Sequence, residues 1–327
     1  MCTAIACRES DFYFGRTLDY ETSFGEEVVL TPRCYPLPLR HMEGQSRHYA
    51  ILGMGRVVDG YPLYFDGINE KGLAMAGLNF VGYARYAEPT PDRDNVAQYE
   101  LLPWILGQCA SVAEARRRME KLCLTGTPFR ADIPAAQLHW LLADKQEAVT
   151  IEAGKEGLRI WDNPVGVLTN NPAFDDQLLR LNDYMQLSPD VPENRFSGQL
   201  DLRPYSRGMG AMGLPGDFSS QSRFVRAAFV KLNAVFGKSE PENVSQFFHI
   251  LETVSQPRGS CRLGEGTYEI TRYTSCCNAD RGIYYYTTYH NRQITAVDMH
   301  RCDLESTALV RYPLVQEEQI LWQNRSD

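Results

Sequence analysis

Strand-like and helix-like segments of this chain come in blocks instead of alternating, and that order excludes more folds than any other feature of it. The first 80 residues read as strands. TAIAC and DFYF flank the turn-forming RESD as a hairpin whose first strand begins at the N-terminus, with Phe12 to Gly15 laid beside Thr3 to Cys7. PLYFDGINEKGLAMAGLNF repeats the plan around a polar turn at Asn69 to Gly72. Helical spacing follows in VAQYELLPWILGQC, where Pro103 marks a start or a kink, and in SVAEARRRMEKLC, where Ser111 and Glu114 stand at capping-box spacing. Strands return in LHWLLADKQEAVTIEAG, GLRIWDN and VGVLTNNP, then amphipathic helices in DDQLLRLNDYMQL, SRFVRAAFVKLNAVF and NVSQFFHILETV. A last block, TYEITRYTSCC, GIYYYTTYH and QITAVDM, is rich in Tyr, Thr and Ile, which suit strands. A doubly wound parallel sheet needs strand and helix to alternate one by one. The blocked order therefore predicts an α+β protein of antiparallel sheets layered with helices. At 327 residues, 43% of them hydrophobic, the chain can bury a large core, and no repeat, low-complexity tract or linker divides it; one domain over 1–327 is expected.

A formal net charge of -8, with no basic run, argues against nucleic acid and against an anionic membrane surface, and leaves small molecules or further copies of the chain as partners. Residues 1–20 carry Arg8, Glu9, Asp11, Arg16 and Asp19, which do not suit a secretory leader. The nine cysteines are odd in number and lack CxxC or zinc-ligand spacing, so reduced thiols in a cytoplasm are expected. Six scattered histidines offer no metal motif, and GMGAMG over Gly208 to Gly213 has no strand before it and Pro215 soon after, so it is not a dinucleotide loop. Neither metal nor cofactor is expected.

Cys2 is the residue with the most chemistry in reach. If Met1 is removed, one residue carries both a thiol and a free amine, whose ordinary pKa values of about 8.5 and 7.7–8.0 lie close enough for efficient proton transfer. The nucleophile then brings its own base, as in the pairing of Thr with an N-terminal amine. Arg16 and Asp19 follow on the return strand of the hairpin, the guanidinium to favour thiolate and the carboxylate to hold or orient the amine. An ordinary surface ion pair is the competing reading of those two. Asn79 in AGLNF and Asn170 in GVLTNNP are candidate oxyanion donors, or plain turn residues at strand ends. Arg223 in LPGDFSSQSRF opens a helix, where it can meet Asp19 or remain a solvated charge.

Met-Cys-Thr, FGRTLD, DGINEKGLAMAGLNF, GVLTNNP, GLPGDFSSQSRF and YTSCCNADRGIYYYTTY, in that order from residue 2 to about residue 300, resemble the cholylglycine hydrolase family of N-terminal nucleophile hydrolases. That family contains bile salt hydrolases and penicillin V acylases. The resemblance implies a four-layer αββα sandwich with two central antiparallel sheets, and a cofactor-free amide hydrolysis. It further implies Cys2 as nucleophile with its amine as base, Arg16, Asp19 and Arg223 in support, and Asn170 and Asn79 as oxyanion donors. Asn79, where similar penicillin acylases often carry Tyr, tilts the substrate toward glycine- or taurine-conjugated bile salts. Leu18, Val58, Phe65, Phe129, Ile133 and Leu138 would line an apolar trough for the steroid, or else serve as ordinary core. Similar enzymes are commonly homotetramers. A catalytically silent binder of amphiphilic anions is the reading from another class.

Overall fold

The computed structural model describes residues 1–324. Strand β1 (Cys2–Arg8) turns through Glu9, Ser10 and Asp11 into β2 (Phe12–Tyr20). So tight a turn pairs Arg8 with Phe12, and the register runs from there through Ile5 opposite Gly15 to Cys2 opposite Leu18. The sequence reading had Phe12 to Gly15 beside Thr3 to Cys7. They lie beside Ile5 to Arg8 instead, because pairing starts at the turn, and Thr3 faces Thr17.

This hairpin sits in a seven-stranded sheet, flanked on one side by β12 (Val167–Leu168) and on the other by β14 (Thr267–Asn278), β15 (Ile283–Thr288) and β16 (Asn291–Asp298), with β13 (Cys261–Gly264) paired to β14. An eight-stranded sheet lies against it in the order β11 (Gly157–Asp162), β10 (Ala148–Gly154), β9 (Leu138–Ala143), β6 (Ala74–Asn79), β5 (Tyr61–Asn69), β4 (Ile51–Val58), β3 (Glu27–Thr31) and β17 (Val310–Pro313). Every pairing in both sheets is antiparallel, as the blocked order predicts.

Helices α4 (Ser220–Leu232) and α5 (Glu240–Glu252) cover the outer face of the seven-stranded sheet, and α1 (Leu101–Gln108) covers that of the other. With both faces of β1 covered, residues 2–7 are all buried, including polar Thr3. Side chains alternate: Ala4, Arg16 and Leu18 point into the space between the sheets, Thr3, Tyr13 and Thr17 toward α4 and α5.

Three expectations shift. Residues 94–97 form β7 (Asp94–Ala97), parallel to β8 (Leu122–Thr125), and not the start of a helix. The helix begins only at α1, with Pro103 in its first turn, where the missing N–H leaves no bond unmade. Ser111 caps α2 (Val112–Met119) as its spacing predicts, accepting from the Glu114 amide at 3.2 Å, but the Glu114 carboxylate reaches back to the Ala110 amide. Helix α3 (Phe174–Arg180) is shorter than its pattern and tightens into a 3-10 turn.

Candidate active site

The pairing of β1 with β2 decides what surrounds Cys2. Residue 1 exchanges two backbone bonds with Asp19, its N donating to the Asp19 carbonyl at 2.7 Å and its carbonyl accepting from the Asp19 amide at 2.9 Å. Cys2, one residue on, therefore turns its own N–H away from β2. That N–H donates to Asn170 Oδ1 at 2.7 Å. That nitrogen is the one that loss of residue 1 would turn into a free amine.

Arg16 stands on the thiol's side of the sheet. Fully buried, it donates Nη1 to the Gly77 carbonyl at 2.6 Å and to the Phe65 carbonyl at 3.3 Å, and its Nη2 has no protein partner. Burial by itself would lower its pKa, but Cys2, Tyr273, Asp66 and Asp19 together push it up, which keeps it a fixed cation. Asp66 beyond it accepts from the hydroxyls of Tyr273 and Tyr284 at 2.5 and 2.6 Å.

Asp19 and Arg223 occupy the opposite face. Asp19 accepts from Thr271 Oγ1 at 2.7 Å and Thr17 Oγ1 at 3.2 Å, and lies 3.9 Å from Arg223 Nη1. Arg223, in the first turn of α4 and completely buried, donates to Thr3 Oγ1 at 2.6 Å, to the Cys2 carbonyl and to Asn170 Oδ1 at 2.8 Å. Burial draws its pKa down while Asp19 and Cys2 oppose that. The predicted pairing of Arg223 with Asp19 is thus longer than its bonds to the residues holding Cys2.

Asn170 joins the two sheets, since its Nδ2 donates to the Asn79 carbonyl at 2.9 Å while its Oδ1 is held by Cys2 and Arg223. The Phe80 amide donates to the Gln137 carbonyl, which makes Asn79 and Leu138 a pair without mutual hydrogen bonds. The Asn79 N–H and C=O consequently point away from β9, past the end of the β5 pairing, into the gap where Arg16 reaches Gly77. Backbone, not side chain, is what Asn79 presents there. The six predicted polar residues gather around the start of β1, Arg16 and Asn79 on the side between the sheets, Asp19 and Arg223 on the helix side, and Asn170 bonded to Cys2, Arg223 and Asn79.

The six predicted apolar residues divide. Leu18 is opposite Cys2 on the same face, Leu138 is opposite Asn79, and Phe65 supplies a carbonyl to Arg16. Val58, opposite Tyr61, and Phe129, whose ring lies 5.7 Å from that of Tyr61, gather at the far end of β4 and β5, with Ile133 bridged to Arg130 nearby. Apart from Leu18 each keeps some exposed surface.

Sequence reading passed over Glu269, which meets the amine of residue 1, and Thr271. Burial pushes the Glu269 carboxyl up against the pull of that ammonium. The signal existed in the alternation of TYEITRY, but a bulge at Arg272 breaks it: Thr271 faces Asp19, whereas Tyr273 faces Leu18 on the other side. Among the described residues no group of three or more His, Cys, Asp or Glu side chains is placed to hold a metal ion, and no helix is long and apolar enough to cross a membrane.

A buried thiol on the face of the sheet that carries a fixed guanidinium, with its own nitrogen bonded to a side-chain amide, is an arrangement chemically able to support acyl transfer. Residues 2–312 match the linear amide C–N hydrolases of the choloylglycine hydrolase family, and the chain belongs to that family. It is 54% identical over 98% of both chains to a bile salt hydrolase/transferase of Lactiplantibacillus plantarum. It is 38% identical to a bile salt hydrolase/transferase of Clostridium perfringens, over 95% of this chain and 96% of that one. The crystal structure of a mutant conjugated bile acid hydrolase from Clostridium perfringens superposes with a TM-score of 0.91 at 37% identity, over 99% of this chain and 100% of that one. Penicillin V acylase from Agrobacterium tumefaciens shares the fold, with a TM-score of 0.75 at 23% identity over 96% and 92% of the two chains.

Proposed function

We propose that this chain is a bile salt hydrolase that cleaves the amide of glycine- or taurine-conjugated bile acids, working as one domain with Cys2 as its nucleophile once Met1 is removed. The observation that carries the mechanism is the Asn170 side chain, bonded at once to the Cys2 nitrogen, to Arg223 and to the Asn79 carbonyl. The substrate class is supported by the names of the relatives.

The freed Cys2 amine, oriented by Asn170 Oδ1, takes the thiol proton, and Arg16 favours the resulting thiolate. Sγ attacks the amide carbon, and the oxyanion is received by the Asn79 N–H and the second hydrogen of Asn170 Nδ2. Collapse breaks the C–N bond. Glycine or taurine leaves with the proton returned from the Cys2 ammonium, and a thioester remains. The amine then takes a proton from water, whose hydroxide opens the thioester to free bile acid and regenerates the thiol. Arg223 and Asp19 hold the strand carrying Cys2 from behind. Leu18, Phe65 and Leu138 begin an apolar trough beside the thiol, and Val58, Phe129 and Ile133 continue it.

Nine unpaired cysteines support a reducing, cytoplasmic setting, and exposed Phe196, Leu200, Leu202 and Tyr205 support a homo-oligomer, which we take to be a tetramer. Purified protein is offered glycocholate, taurocholate and penicillin V separately, with intact mass recorded. Release of glycine or taurine by the chain lacking Met1, absent in Cys2→Ala, is expected. Faster cleavage of penicillin V would make it a penicillin V acylase, and no turnover by the processed chain would make it a binder of amphiphilic anions. Chain that keeps Met1 is expected to be inactive, because an amide replaces the base.

A further inference from the structure

His139 and Glu152 form a buried pair that touches none of the reacting groups yet grips both chains that carry the asparagines. His139, on β9, is fully buried, and Glu152, on β10, is 5% exposed. His139 Nε2 lies 2.9 Å from the Thr169 carbonyl, and Nδ1 lies 3.0 Å from Glu152 Oε1. A carbonyl can only accept, so Nε2 carries a hydrogen. A second proton must then lie between Nδ1 and Oε1, since two lone pairs facing each other at that distance would repel. The pair is a buried hydrogen-bonded unit.

Its contacts explain what it holds. The Thr169 carbonyl belongs to the residue before Asn170, in the seven-stranded sheet's connection, whereas His139 belongs to the eight-stranded sheet. His139 also sits opposite Leu78, and the ring of Phe80, the residue after Asn79, stacks on it at 4.4 Å and 8°. Glu152 accepts from the Phe174 amide at 3.1 Å, fixing the first residue of α3, and from Trp161 Nε1 at 3.2 Å. From that helix Gln177 Nε2 donates to the Asn170 and Pro172 carbonyls, and Thr169 Oγ1 donates to Gln177 Oε1. Asn170 is thereby fixed from the residue before it and from its own carbonyl, by one assembly centred on the pair.

We infer that His139 and Glu152 are positioning residues that set the separation between Asn170 and Asn79, and through it the donors available to the oxyanion. The inference rests on the hydrolase reading for its kinetic test alone. Wild type, His139→Phe, Glu152→Gln and Glu152→Leu are compared for thermal unfolding and for kcat and KM on glycocholate. His139→Phe keeps the ring that stacks on Phe80 and loses both hydrogen bonds. It is expected to fold and to lose at least about tenfold in kcat, with KM within about threefold, because small displacements of donors act on the transition state. Glu152→Gln can donate to Nδ1 and still accept from Trp161 and Phe174, and should retain at least about a third of kcat, while Glu152→Leu falls like His139→Phe. Folded His139→Phe with kcat within about twofold of wild type, or Glu152→Gln as impaired as Glu152→Leu, would overturn the inference. Should His139→Phe fail to fold, the two Glu152 variants decide. A crystal structure of His139→Phe reads the same claim without turnover: the bond from Asn170 Nδ2 to the Asn79 carbonyl should be lost, and its retention refutes the inference even if wild type cleaves no bile salt.

Discussion

Cys2 and Cys7 stand at opposite ends of β1, each only 2% exposed, in environments that share almost nothing. Five residues apart on a strand, they point to opposite faces. Cys7 is opposite Tyr13 on the helix side, where burial pushes its thiol up to about 12 against the weaker pull of Lys231. Cys2 points toward Arg16, with Asn170 on its nitrogen and Arg223 on its carbonyl. Burial alone makes a thiol inert. What separates the two is the fixed charge and the amides that the fold places around one of them.

That contrast is broken most directly by removing each sulfur in turn. Cys2→Ala should abolish bile salt hydrolysis, whereas Cys7→Ala should keep kcat within about twofold and cost about 1–2 kcal/mol in urea unfolding, as for a small buried group. Next in size is Asn170→Ala. It loses the anchor of the Cys2 nitrogen and a donor together, and kcat should fall by about 10²–10³-fold with folding intact by circular dichroism.

A smaller effect sharpens the same comparison through pH. The unfolded Cys7 thiol ionises near 9 and the folded one only near 12, so its contribution is complete below pH 9 and drains as pH rises toward 12. Stability measured by urea titration across that window should decline less steeply in Cys7→Ala, and an equal slope would place Cys7 in contact with solvent. Among the predicted polar site residues, a small change is expected of Asn79→Ala. Because Asn79 presents its backbone to the gap, kcat should stay within about fivefold of wild type, and a loss as large as that of Asn170→Ala would assign the role to its side chain.

Much of this is legible in the sequence. The blocked order of elements implies antiparallel sheets, and Ser111 with Glu114 announces α2. Arg16, Asp19, Asn79, Asn170 and Arg223 stand out by type, position and resemblance; of these, Asn170 and Arg223 bond to Cys2, with Asn79 reached through Asn170 and Asp19 3.9 Å from Arg223. Other features left no local trace. The parallel pairing of β7 with β8 joins segments too far apart for a turn signal. Arg272 forms a bulge that reverses which face the following residues occupy, hiding Thr271 and Glu269 from a period-two reading. His139 reads as one scattered histidine until Glu152 and Thr169 are brought to its two nitrogens.

The sequence by itself determined the local chemistry: a thiol on the residue whose own nitrogen the loss of Met1 would free, strands of the right composition, helix caps, and a set of polar residue types suited to acyl transfer. Only the tertiary structure decided that Arg16 and Asp19, three residues apart, would lie on opposite faces of one sheet, that Asn79 would offer its backbone carbonyl to Asn170, and that Asn170 would join the two sheets at the Cys2 nitrogen. Side-chain direction in a sheet is set by register and by bulges, and register depends on partners that lie far away in the chain.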